Sequence, residues 1–66
     1  MKNKLKIQRA IHNLTQAQLA DKIGVTRQSI NAIEKGKYVP STVLALKFAK
    51  LFNESVENIF TLEEND

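Results

Sequence analysis

Apolar residues along this 66-residue chain recur at intervals of three and four, and no alternating run is sustained. That pattern predicts helices throughout. Ile7, Ile11 and Leu14 fall at i, i+4 and i+7, so a first helix is expected over about Leu5–Asn13 with that face inward. Thr15 is followed three positions later by Gln18, the spacing of a capping box, in which the Thr15 hydroxyl accepts the Gln18 N–H and Gln18 reaches back. A second helix follows, with Leu19, Ala20 and Ile23 turned inward. It stops at Gly24, where a left-handed backbone costs glycine nothing. Thr26 caps a third helix running to Lys35, in which only Ile30, Ala32 and Ile33 are apolar, and Gly36 ends it. Lys37–Pro40 reads as a linker. Ser41 caps a fourth helix at about 42–52. A short last helix has Glu54 and Glu57 near its start and Val56, Ile59 and Phe60 for burial. Ile59-Phe60-Thr61-Leu62 alternates enough for a short extended segment, either a pairing strand or a docked arm, and Thr61–Asp66 is an acidic tail. The expected fold is all-α, a compact bundle of about five short helices with a short C-terminal extended segment, in a single domain over 1–66.

The fourth helix is more apolar than one face requires. Ala45, Phe48, Ala49 and Phe52 already form a core stripe, yet Val43, Leu44, Leu46 and Leu51 are apolar as well. Surplus apolar surface on a small protein marks an interface. Chain length points the same way, because 66 residues build only a thin core. There is no cysteine, and His12 is the single histidine, so neither a disulfide nor a His or Cys metal site can staple the fold. A twofold homodimer through about residues 43–66 is therefore expected, with Val43, Leu44, Leu51, Ile59, Phe60 and Leu62 at its interface. The other reading is a monomer whose extra leucines fill a tight core.

Charge changes the picture further. The net +3 is unevenly placed. Residues 1–38 hold eight Lys and Arg against Asp21 and Glu34, whereas residues 39–66 hold Lys47 and Lys50 against five acidic residues. A basic front half suits a polyanion, although a lysine-rich solvated surface accounts for charge alone equally well. No apolar run approaches the ~18 residues of a membrane span, and no apolar stretch follows the basic N-terminus as a secretory signal would. A cytoplasmic location is expected.

Two short helices joined by a tight turn at Gly24-Val25, with small Ala20 at the crossing and Val25, Ile30 and Ile33 holding the pair together, make a helix-turn-helix. The segment from Thr15 to Gly36, TQAQLADKIGVTRQSINAIEKG, resembles the Cro/cI-type helix-turn-helix of the XRE family. With Pro40-Ser41 and Ala49, the resemblance extends from about Leu5 to Phe60. It implies a lambda-repressor-like DNA-binding fold of the short, stand-alone dimeric repressor type. The partner implied is double-stranded DNA, with no cofactor and no small-molecule ligand evident.

Site residues follow from how such a motif docks. Its second helix enters the major groove with N-terminal residues at the base edges. Here these are Thr26, Arg27 and Gln28, with Asn31 one turn on. Arg27 suits guanine O6 and N7, and Gln28 or Asn31 suits adenine N6 and N7. By resemblance, Gln16 meets a phosphate at the positive end of its helix. Arg9, Ser29, Lys35, Lys37 and Tyr38 are the further backbone contacts. The resemblance also implies that Arg9 pairs with Glu34, locking the first helix to the motif; two unrelated surface charges are the plainer alternative.

Other features read as structural. His12 fits a surface helix position, and Phe48, Phe52 and Phe60 fit a core better than base stacking. No nucleophile–base arrangement or paired catalytic carboxylates stand out, so no enzyme is expected. Three classes of function remain: a transcriptional regulator acting as a repressor at a pseudo-palindromic operator, an antitoxin-type module binding both DNA and a toxin, and a protein-interaction domain of the same fold.

Overall fold

Every helix after the first begins where a Ser or Thr stands at the cap and accepts the backbone N–H three residues on. Thr15 takes Gln18, Thr26 takes Ser29, Ser41 takes Leu44 and Ser55 takes Asn58. In a computed structural model describing all of residues 1–66, these caps open α2 (Gln16–Ile23), α3 (Arg27–Glu34), α4 (Thr42–Phe52) and α5 (Val56–Ile59). Before them come β1 (Lys2–Asn3) and α1 (Leu5–Ile11), and β2 (Phe60–Thr61) closes the order. The capping box is complete, with the Thr15 N–H donating to the Gln18 side chain at 2.9 Å. The start of α1 is different. Lys4 offers no side-chain cap. Instead Asn3 Oδ1 accepts the Leu5 N–H at 3.1 Å, while Asn3 Nδ2 donates to the Ile33 carbonyl at 2.8 Å. One amide thereby starts the first helix and serves the end of the third.

Helix ends are as regular as the starts. Gly24 and Gly36 adopt φ +88° and +73°, and Asn13 and Asn53 take the same left-handed region at 55° and 54°. Asn13 ends α1 two residues earlier than the sequence pattern predicts, with its own N–H on Ala10 and that of Leu14 on Arg9. After α3, the N–H groups of Gly36 and Lys37 return to Ile33 and Ala32, which closes the helix in a Schellman turn.

The core gathers Leu5, Leu19, Ala20, Ile23, Ile30, Ile33, Leu44, Phe48, Phe52, Ile59 and Phe60. Phe48 lies at its centre, stacked on Phe52 at 6.4 Å and tilted against Phe60 at 6.0 Å. His12 is exposed and rests its ring on Phe52. The face of α1 is a correction to the sequence pattern. Leu5 is fully buried, whereas Ile7 and Ile11 are 56% and 63% exposed. The helix turns Leu5 and Arg9 inward, one turn apart, and that rotation carries Ile7 and Ile11 to the outside. Counting apolar positions selects the wrong face because a charged residue occupies the inner one.

The C-terminal extended segment is a pairing strand, the first of the two forms the sequence allows. β2 pairs antiparallel with β1 of the same chain, Lys2 opposite Thr61 and Asn3 opposite Phe60, and the Lys4 N–H reaches the Ile59 carbonyl at 2.7 Å. Ile59 and Phe60 are buried by this closure, so they are not an arm presented to another chain. Beside the ribbon, the Met1 ammonium lies 3.2 Å from Asp66 and 3.3 Å from Glu63. Its hydrogen bond to Asp66 holds the ammonium pKa above its ordinary value. No helix is long and apolar enough to cross a membrane.

Candidate nucleic-acid interface

The turn between α2 and α3 fixes the geometry of the site. The Val25 N–H bonds back to the Ala20 carbonyl at 3.0 Å, and Ala20 is almost fully buried at the crossing. α3 keeps Ile30 and Ile33 against α2 and turns its other sides out. Arg27, Gln28 and Asn31 line a shallow concavity of about 310 Å³ on that outer side. A second concavity, about 530 Å³, lies beside it and is lined by Arg9, Thr15, Gln16, Ala17 and Arg27. Neither contains an acidic side chain. The two share Arg27, so α1, α2 and α3 present one continuous surface of arginine, amide and helix N-terminus.

Under that surface runs a connected set of hydrogen bonds. Arg9 Nε donates to Glu34 Oε2 at 2.8 Å and Nη2 to Oε1 at 3.3 Å, a bidentate fork. Arg9 Nη1 donates to the Leu14 carbonyl at 2.9 Å. Gln16 Nε2 donates to Glu34 Oε1 at 3.1 Å and to Asn31 Oδ1 at 3.4 Å. The Glu34 side chain is only 6% exposed and that of Arg9 17%. A carboxylate this deep is tolerated because it is paired with Arg9 and accepts three hydrogen bonds. No buried side-chain polar atom lacks a partner.

The positions expected at the bases are therefore not equivalent. Arg27 and Gln28 are exposed with no side-chain partner, while Asn31 is half-buried and held by Gln16. Thr26 uses its hydroxyl as the α3 cap, 3.0 Å from the hydroxyl of half-buried Ser29, so both are tied to the start of the helix. Lys35, Lys37 and Tyr38 are exposed just past α3. For Gln16, both amide N–H bonds are engaged inside the protein. Phosphate oxygens only accept, so the donors facing the larger concavity are the remaining N–H groups of Arg9 and Arg27. With them stand the main-chain N–H groups of Gln16 and Ala17, which have no intrahelical acceptor in the first turn of α2.

The residues expected at a dimer interface are split. Leu44, Ile59 and Phe60 belong to the chain's own core, and Leu51 is half-buried against it. Val43 and Leu62 are exposed. Leu46, another of the surplus apolar residues of α4, is more than half exposed, and the structure adds Val39, also more than half exposed. A hollow of about 340 Å³ lies between them and Met1, Pro40, Thr42, Ala45, Val56 and Phe60. Val39 lies in a loop, where helical periodicity gives no signal.

A family model described as helix-turn-helix matches residues 5–59. Over its full length the chain is 61% identical to an uncharacterized HTH-type transcriptional regulator of Methanocaldococcus jannaschii, covering all of both chains. It is 52% identical to the uncharacterized HTH-type transcriptional regulator YgzD of Bacillus subtilis, again covering all of both. A third such regulator, from Archaeoglobus fulgidus, is 46% identical across the whole chain and 93% of its own length.

Proposed function

The chain belongs to the helix-turn-helix family of XRE type, and from that premise we propose that it is a sequence-specific DNA-binding transcriptional regulator. It acts as a repressor, binding a pseudo-palindromic operator as a homodimer with α3 in the major groove. The observation that carries this reading is the acid-free surface on which Arg9, Gln16, Arg27, Gln28 and Asn31 meet. Glu34, the nearby carboxylate, lies beneath that surface and is neutralised by Arg9. Arg27 and Gln28 read base edges. A phosphate sits over the first turn of α2, held by its main-chain N–H groups and the two arginines, and Lys35, Lys37 and Tyr38 follow the backbone beyond α3.

The homodimer reading is supported by Val39, Val43 and Leu46, which give one side of the molecule an uncovered apolar face next to α5. The chain measures 31 × 23 × 20 Å, comparable to one turn of DNA at ~34 Å, so two copies side by side suit consecutive half-sites. Selection from random duplexes tests the whole reading. An enriched inverted repeat with half-sites one turn apart is the expected result, and enrichment of no sequence would overturn it.

A second reading has one observation in its favour. Ile7 and Ile11 form an exposed apolar pair on α1, and neither lines the hollow that Val39 and Leu46 share. A DNA-binding module of antitoxin type would use such a surface for its protein partner. Co-purification of a second small protein, lost on Ile7→Glu, distinguishes it from a stand-alone repressor.

A further inference from the structure

The hydrogen bonds beneath the interface have a direction, and that direction reaches the surface. Glu34, ionised and forked by Arg9, can only accept. Gln16 must therefore turn its NH2 end, not its oxygen, toward Glu34. The same nitrogen gives its other N–H to Asn31, so Asn31 must turn its carbonyl inward to receive it. What remains for the outer surface is the NH2 group of Asn31, two donors with no hydrogen-bond partner in the protein, and the oxygen of Gln16.

We propose that Glu34, acting through Gln16, is a positioning residue that sets base preference by presenting Asn31 to the major groove as a donor only. The amide of Asn31 taken alone suits adenine, whose edge needs an acceptor for N6 and a donor for N7. Held with its carbonyl inward, Asn31 cannot accept from N6. Guanine offers O6 and N7, both acceptors, and matches two outward N–H groups. The residue that sequence pairs with adenine is thus turned by a buried charge toward guanine. This rests on the DNA-binding reading above and adds the chemistry of one base position to it.

Glu34→Gln reverses the chain of orientations. The shorter bond, Arg9 Nε to the Oε2 position, keeps the new side-chain oxygen there. The new NH2 takes the Oε1 position, gives up the Arg9 Nη2 bond and faces Gln16. Gln16 turns its oxygen to meet it, and Asn31 turns its NH2 inward and its carbonyl out. Gln16→Ala instead removes the link and leaves the Arg9–Glu34 pair intact, freeing Asn31 to take either orientation.

The experiment is selection from random duplexes with the full chain, for the native protein, Asn31→Ala, Glu34→Gln and Gln16→Ala. Asn31→Ala identifies the base position that Asn31 reads, as the one whose preference disappears. At that position the native protein selects guanine. Glu34→Gln shifts the guanine-to-adenine ratio toward adenine by about five-fold or more, the lower end of what a bidentate pair discriminates. Gln16→Ala brings the ratio close to one and decides the matter if Glu34→Gln does not fold. A purely structural role for Glu34 lowers affinity for all sequences alike and leaves the ratio unmoved. The proposal is overturned by native selection of adenine at that position, by an unchanged ratio in the folded variants, or by Asn31→Ala altering no position. Native protein that enriches no sequence at all removes the DNA-binding reading itself, a result distinct from an enriched operator with an unmoved ratio.

Discussion

Arg9 and Glu34 show how much depends on one buried pair. Neither side chain is isolated: the carboxylate has two fork bonds and the Gln16 amide, and the guanidinium also holds the Leu14 carbonyl. Removing one partner leaves the other desolvated and unpaired, which costs about 3 kcal/mol or more. A 66-residue domain has only roughly 3–10 kcal/mol in total, so Arg9→Ala is expected to lower the urea midpoint by about a third or more. In the double-mutant cycle with Glu34→Ala, coupling of more than about 1 kcal/mol is expected, measured from urea midpoints. Coupling near zero would return the pair to ordinary surface charges. At the exposed positions the predictions concern DNA instead. Arg27→Ala should flatten base preference at one position. Lys37→Ala should weaken binding to all sequences and reduce the salt slope by about one. Titration of binding against salt on operator and scrambled duplexes separates these outcomes. Equal behaviour of the two variants would contradict direct readout by Arg27.

The elements were legible in the sequence wherever a local rule sets them. Thr15, Thr26 and Ser41 mark helix starts, and Gly24 and Gly36 mark ends, because caps and left-handed turns depend on residues within four positions of each other. Gly24 permits a clean measurement. A Cβ there would meet nothing within 4 Å, so Gly24→Ala adds only the backbone cost of φ +88°. A loss of about 1–2 kcal/mol is expected, read as a lower urea midpoint at constant slope. Removing the cap in Thr15→Ala should cost about 1 kcal/mol by the same measurement. What the local rules missed lies between distant positions. The inward face of α1 depends on Glu34, 25 residues away, which draws Arg9 in and displaces Ile7 and Ile11. Asn3 reaches Ile33 across 30 residues, and β2 finds its partner at the other end of the chain. The site divides in the same way. Arg27 and Gln28 could be named from their place at the start of α3, whereas the orientation of Asn31 comes from a bond to α2.

For the molecule as a whole, the uneven charge and the uncovered apolar face belong to opposite tasks. The first 38 residues hold eight Lys and Arg against two acidic residues, Arg27, Lys35 and Lys37 among them at the ends of α3, and the second half of the chain, acidic in balance, carries Val43 and Leu46 on α4. Apolar contacts at Val43 and Leu46 can hold two copies together on a side of the chain away from Arg27 and Gln28. Leu46→Glu tests this. The side chain is 57% exposed, so the substitution should change monomer stability by no more than about 0.5 kcal/mol. Placed at an apolar interface between two copies, the same charge would face its twin and lose its water. Sedimentation should therefore find a dimer for the native protein and a monomer for Leu46→Glu, with unchanged helical circular dichroism. Operator affinity should fall by about 100-fold or more as two linked half-site contacts become independent, while affinity for a single half-site stays the same. Ile7→Glu, on α1 and outside the hollow lined by Val39 and Leu46, should leave both quantities untouched. A dimer that survives Leu46→Glu would move the contact away from α4. A native protein that sediments as a monomer and still binds an inverted repeat tightly would place the pairing on the DNA rather than in the protein.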